Sequence, residues 1–191
     1  MEPKRTLWVL DQDHERIEAL LTSVSDPAVD RGKVLREIVE RISAHISVEQ
    51  AIFFPALARG GVVEVDVLDA LKDDYRQMER SLLLIDRRKV NSPDTPSLVT
   101  ELADRFAEHL RLFGEKIEPQ CIGALSSEEI DNLNSQMMSA DNVILSHPHP
   151  HMLSLGPVSR FTTRIAARLD RLRDRTVNNR LTPTGRPSKK A

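Results

Sequence analysis

The sequence predicts an all-α protein: an antiparallel up-down four-helix bundle with two extra C-terminal helices. Three observations carry this. Apolar residues recur at helical period in four long stretches. Short Pro-, Gly- and Ser-marked breaks separate them, which favours antiparallel neighbours. Seven Gly and few β-branched runs argue against a β-sandwich.

In the first stretch Leu7, Leu10, His14, Ile17 and Leu21 share one face, and Ser25-Asp26-Pro27 ends it. The second runs from about Val29 to Phe54, through Leu35, Ile38, Ile42, His45, Glu49 and Phe53. Pro55 is expected to stop it, with Gly60-Gly61 as the turn that follows. The third runs from about Val65 to Val90, through Leu68, Leu71, Tyr75, Met78, Leu82 and Ile85, and Asn91 to Pro96 breaks it. The fourth runs from about Ser97 to Glu118, through Leu102, Phe106, His109 and Phe113, and Pro119 is expected to stop it. Ser126 and Glu129 form a capping-box pair for a fifth helix reaching about Asn142. A Pro/His loop, 146–157, precedes a sixth helix over about Val158–Asp174. The expected division is a bundle at 1–122, a helical extension with its loop at 123–175, and a basic, disordered tail at 176–191.

Composition narrows the functional classes. A single cysteine, Cys121, excludes an internal disulfide framework and a Cys-based zinc cluster, and is expected to be a small packing residue. No apolar run approaches the roughly 20 residues of a membrane span, and the N-terminus lacks the apolar core of a signal peptide, so the expected compartment is the cytoplasm. From Arg160 onward ten Lys and Arg face only Asp170 and Asp174. That leaves residues 1–159 strongly acidic within a chain of net charge −2. No interleaved aromatics or nucleic-acid motif accompany the basic end, so neither nucleic acid nor membrane is expected as a partner.

Two internal echoes point to chemistry. Asp13-His14-Glu15-Arg16-Ile17 is matched by Asp74-Tyr75-Arg76-Gln77-Met78, each an acid, a ligand-capable residue, then an aliphatic three later. His45 is followed ten residues on by Pro55, and His109 ten residues on by Pro119. Helix one therefore resembles helix three, and helix two resembles helix four, which brings these positions to one depth in the bundle. His45 and Glu49 are four apart and stack on one face. Imidazole and carboxylate without thiolate suit iron, manganese or zinc, held between inward-facing helices.

With these residues the chain resembles the hemerythrin-like, or HHE cation-binding, family over about residues 5–120. Asp13-His14-x-x-Ile17 and His45-x-x-x-Glu49-x-x-x-Phe53-Phe54-Pro55 match its motifs. The resemblance implies metal ligation by His14, His45, Glu49 and His109, and two iron ions per chain joined by an oxo or hydroxo bridge. Two positions depart from the family. Tyr75 stands where a His is usual, and is read as a hard ligand favouring ferric iron. Phe113 stands where the second bridging Glu is expected. Glu115 lies six residues after His109, a step of about 600° and so about 120° off the His face in a regular helix. A π-bulge near Gly114 would shorten that step, and Glu115 is read as the second carboxylate, with Glu118 and Glu108 as alternatives and a mononuclear site if none reaches. Asp13, Asp74 and Glu108 each precede a ligand position and are read as surface charges more than as outer hydrogen-bond acceptors.

His147, His149 and His151 alternate with Pro148 and Pro150 and are read as a loop outside the metal site. Within the family the likeness is nearest to mycobacterial hemerythrin-like proteins, which share a longer C-terminal part and associate with catalase-type activity. That implies disproportionation of hydrogen peroxide, 2 H₂O₂ → 2 H₂O + O₂. The alternative is an O₂- or nitric oxide-binding sensor or carrier without turnover. A sensor would signal through the C-terminal helices, where a partner protein could bind.

Overall fold

The computed structural model describes residues 6–87 and 92–142. The expected sixth helix, the His147/His149/His151 loop and the basic tail lie outside the described residues. Those that are described form helices and turns, with no strand among them.

α1 (Trp8–Ser23) and α2 (Arg31–Val48) are antiparallel neighbours across the break at Ser25–Pro27. Asp30 starts α2 by accepting the Lys33 backbone N–H at 3.1 Å, which satisfies one of the donors a helix start leaves open. A five-residue π-helical turn, Glu49–Phe53, continues α2 without interruption into α3 (Phe54–Gly60). Gly61, at φ 59°, closes α3 in the left-handed region, where a side chain would be strained. α4 (Val65–Arg87) follows, then α5 (Thr95–Leu112), which starts with Pro96 in its first turn. A second π turn, Phe113–Ile117, leads into α6 (Glu118–Ala124).

Neither Pro55 nor Pro119 stops its helix, contrary to expectation. A proline inside a helix lacks the N–H for its i−4 bond and crowds that carbonyl. The π turn before each proline changes the hydrogen-bond step from four residues to five and gives that carbonyl room. Each turn begins six residues before its proline, at Glu49 and at Phe113, so the sequence echo is also an echo of backbone.

α1 packs on α2, α2 on α4, α4 on α5, and α5 closes back on α1. This ring encloses an aliphatic core that includes Leu10, Ile17, Ile38, Ile42, Leu71, Met78, Leu82 and Leu102, with Phe53, Phe106 and Tyr75 as its large aromatic members. Burying a side chain of that size contributes on the order of 1.5–3 kcal/mol. α7 (Ser127–Met138) starts with the expected capping box: Ser126 Oγ accepts the Glu129 N–H, and Glu129 accepts the Ser126 N–H at 2.8 Å. Its Ile130, Leu133 and Met137 face inward, against α1 and the first π turn. Buried Asn134 ties α7 to the start of α1, accepting the Val9 N–H at 3.4 Å and donating to the Thr6 carbonyl at 3.1 Å. No helix among the described residues is long and apolar enough to cross a membrane.

Candidate metal centre

Four side chains from three helices meet at one depth in the bundle. α1 carries His14, α2 carries His45, Glu49 opens the first π turn, and α5 carries His109. All four are buried, and one donor atom from each lies within 4.8 Å of the others. His109 Nε2 is 3.2 Å from His14 Nε2 and 3.3 Å from His45 Nε2, and His45 Nε2 is 3.2 Å from Glu49 Oε2. The fourth helix of the ring, α4, contributes Tyr75. Its hydroxyl donates to Glu49 Oε2 and lies 3.4 Å from His109 Nδ1. Phe54 stacks on the Tyr75 ring at 5.5 Å and helps fix its orientation.

Burial and mutual proximity set the protonation. Burial, aided by the nearby His45, pulls His14 down to about 2. Burial likewise lowers His109 to about 4, against the partial opposition of Glu49. These two imidazoles are therefore neutral, with lone pairs to offer. Burial alone would lower His45 too, but the Glu49 and Asp13 carboxylates outweigh it and raise the group to about 10. Glu49 is the mirror case. Burial favours its neutral form, yet His45 and His109 hold the carboxyl down to about 2. Burial and the Glu49 charge push the Tyr75 hydroxyl well above its ordinary value. The result is a buried His45–Glu49 ion pair between two neutral imidazoles.

Asp13, read from sequence as more a surface charge than an outer acceptor, takes the outer role. Its carboxylate accepts the His45 Nδ1–H at 3.1 Å, and Arg41 approaches its other oxygen at 3.6 Å. This contact fixes the His45 ring with Nε2 facing the cluster, the outer hydrogen bond usual for a metal-ligating histidine. Glu108 is exposed and pairs with Arg111, whereas Asp74 is half-buried, 3.9 Å from Arg105, with burial raising its carboxyl above the ordinary value. Cys121 is buried, as expected, with burial pushing its thiol up to about 12.

The structure corrects the position of Glu115. The expected π turn is present, but it begins at Phe113. The helix is regular from His109 to that point, so Phe113, four residues on, takes the inward position and packs 4.8 Å from the His14 ring. Glu115, two residues further, faces away. Its side chain is 55% exposed and paired with Arg111. Glu108 is exposed as well, and Glu118 is outside the cluster. An aromatic ring thus stands where a second carboxylate was expected, and Glu49 is the one carboxylate of the cluster.

A family profile, the hemerythrin HHE cation-binding domain, matches residues 5–121. The chain belongs to this family. No curated protein and no solved structure gives a match. Within the family's cation-binding scheme, the cluster supplies three imidazole nitrogens and a carboxylate of the hard to borderline class that suits iron.

Proposed function

We propose that the protein is a non-heme iron protein that disproportionates hydrogen peroxide, standing with the mycobacterial hemerythrin-like proteins in this activity. The observation that supports it is the convergence of three imidazoles, one carboxylate and one phenol on a single buried point. The donors fit an ion on a second ground. Glu49 Oε1 is buried and lacks any hydrogen-bond partner, an arrangement that costs about 1–3 kcal/mol unless something completes it. His109 Nε2 also lies 3.2 Å from His14 Nε2 and 3.3 Å from His45 Nε2, close enough for one ion to join all three.

The geometry supports one ion more than the expected bridged pair. The two-ion reading needed Glu115, and four donor atoms within 4.8 Å of one another are the span of a single coordination sphere. Iron held there would supply a redox-active Lewis acid. His14, His45 and His109 would anchor it through Nε2, with Asp13 fixing the His45 ring. Tyr75, as phenolate, would favour the ferric state. Glu49 Oε1, the carboxylate oxygen without a hydrogen-bond partner, would complete the ion's set of donors. Phe106 and Phe113 wall the imidazoles and keep bulk water from the donors.

Oxygen evolution from peroxide by iron-loaded protein, alongside metal analysis, tests the reading. The expected result is about one iron per chain and turnover well above free iron. Stoichiometric iron with reversible spectral change under O₂ or nitric oxide, and no oxygen evolved, would assign a binding role in place of turnover.

A further inference from the structure

A cavity of about 340 Å³ lies between α1, α2 and α7, outside the cluster. Its apolar lining includes Trp8, Val9, Leu10, Val48, Met137 and Met138. Trp8 is 39% exposed and Met138 is 52% exposed, so two of the large hydrophobic side chains most open to solvent among the described residues face one groove. Single exposed hydrophobics are ordinary, but exposed Trp8 and Met138 rim one concavity whose floor includes buried Met137. Its two arginines are already engaged, Arg16 with Glu37 at 3.2 Å and Arg41 with Asp13 at 3.6 Å.

We propose that this groove is covered by residues 158–174 of the same chain, laid in as an amphipathic helix. Three observations select that occupant. The described chain ends at Asn142, four residues beyond Met138 on the groove's own rim, with 143–191 still to follow. The stretch carries Val158, Phe161, Ile165, Leu169 and Leu172 at steps of three, four, four and three, a single apolar stripe at helical period. The flanking charge is complementary on two of the three walls. α1 has four acids (Asp11, Asp13, Glu15, Glu18) against Arg16, and α7 has Glu128, Glu129 and Asp131 with no base, while 158–174 has five arginines against two aspartates. The groove lining itself holds Arg16 and Arg41 beside Asp13, both arginines already paired. The fifteen intervening residues span up to about 50 Å, more than the return requires. A helix of this length runs about 25 Å, enough to lie along α1.

Trp8 is the one tryptophan of the chain, so its fluorescence reports the groove directly. In the full-length protein acrylamide should quench Trp8 only weakly. The double substitution Phe161→Glu, Ile165→Glu should raise the quenching constant at least twofold and shift emission to the red, with far-UV circular dichroism of the bundle retained. The wild-type value should hold over a hundredfold dilution. Quenching that is already high in the wild type, or unmoved by the substitutions, overturns the proposal, and protection lost on dilution overturns it in favour of a second copy. Should the double variant fail to fold, benzoylphenylalanine at position 161 gives an independent reading. Photo-crosslinking to Met137 or Met138 within one chain supports the proposal, and crosslinks only elsewhere, only between chains, or none at all overturn it.

Discussion

Freed of metal, the protein should be most stable near pH 6.5 and lose stability on both sides, about twice as steeply toward acid. The magnitude follows from the cluster. His14 and His109 are held at about 2 and about 4, against an ordinary value of 6.5. His45 is raised to about 10. Below pH 6.5 the unfolded chain takes a proton on each of these three imidazoles, whereas the folded chain keeps only the one on His45. Unfolding therefore binds two extra protons, and stability falls by about 2–3 kcal/mol for each pH unit lost. Between pH 6.5 and 4.5 the loss reaches about 5 kcal/mol, on the scale of the whole stability of a small domain. Below about pH 4.5 Glu49, held at about 2, adds a further loss in the same direction. Above pH 6.5 the sign reverses. The folded chain holds the His45 proton that the unfolded chain has released, so stability falls about half as steeply as pH rises toward 9.

Urea unfolding of chelator-treated protein at fixed ionic strength, from pH 5 to 9, measures both limbs. His14→Gln should halve the slope of the acid limb and leave the alkaline limb in place. Loading with iron should flatten the alkaline limb, since an ion on His45 Nε2 displaces the proton that produces it. An acid limb of one proton or less, unchanged by His14→Gln, would refute the charge arrangement drawn from the structure.

Three further outcomes are expected. Tyr75→Phe removes a buried hydrogen bond to Glu49 and should cost about 1–3 kcal/mol in the metal-free protein, measured by urea titration; in the iron form it should abolish a visible phenolate-to-iron band. Asp13→Ala frees the His45 ring and should weaken metal affinity about 10–100-fold in a chelator competition, while Asp13→Asn, which still offers an acceptor oxygen, should recover most of it. Phe113→Glu puts a carboxylate at the inward position matching Glu49 and should raise the iron content from about one to about two per chain; a folded variant that still holds one would show that carboxylate count does not limit the site.

The bundle and most of its site were legible because both follow from period. Leu10, His14, Ile17 and Leu21 share one face at helical spacing, and all four are buried together. His45 and Glu49 are one turn apart and point the same way. The capping box at Ser126 is a local rule, and local rules transfer. Asp13 was less legible because its role depends on another helix. It turns about 100° from His14 along α1, and only the packing of α2 brings His45 Nδ1 to meet it. The prolines misled for a related reason. A proline marks where a regular ladder fails, but the chain can end there or widen by one residue, and the residue itself does not distinguish the two.

Glu115 shows where reasoning from an internal repeat breaks down. The repeat is genuine in the backbone, since both π turns open four residues after a buried histidine and six before a proline. The inference from it was that equal backbone implies equal chemistry, so a carboxylate had to be found near the position matching Glu49. A π turn shifts only the residues that come after its start. Because the second one opens at Phe113, that position was already committed to the inward face, and no widening beyond it could swing Glu115 back. The two halves of the bundle therefore share a scaffold and divide its use. One π turn presents a carboxylate to the imidazoles, and the other presents an aromatic wall 4.8 Å from His14. One charged donor and one apolar side are what the proposed single ion would meet here, and the residue at 113 decides whether a second carboxylate can face the imidazoles.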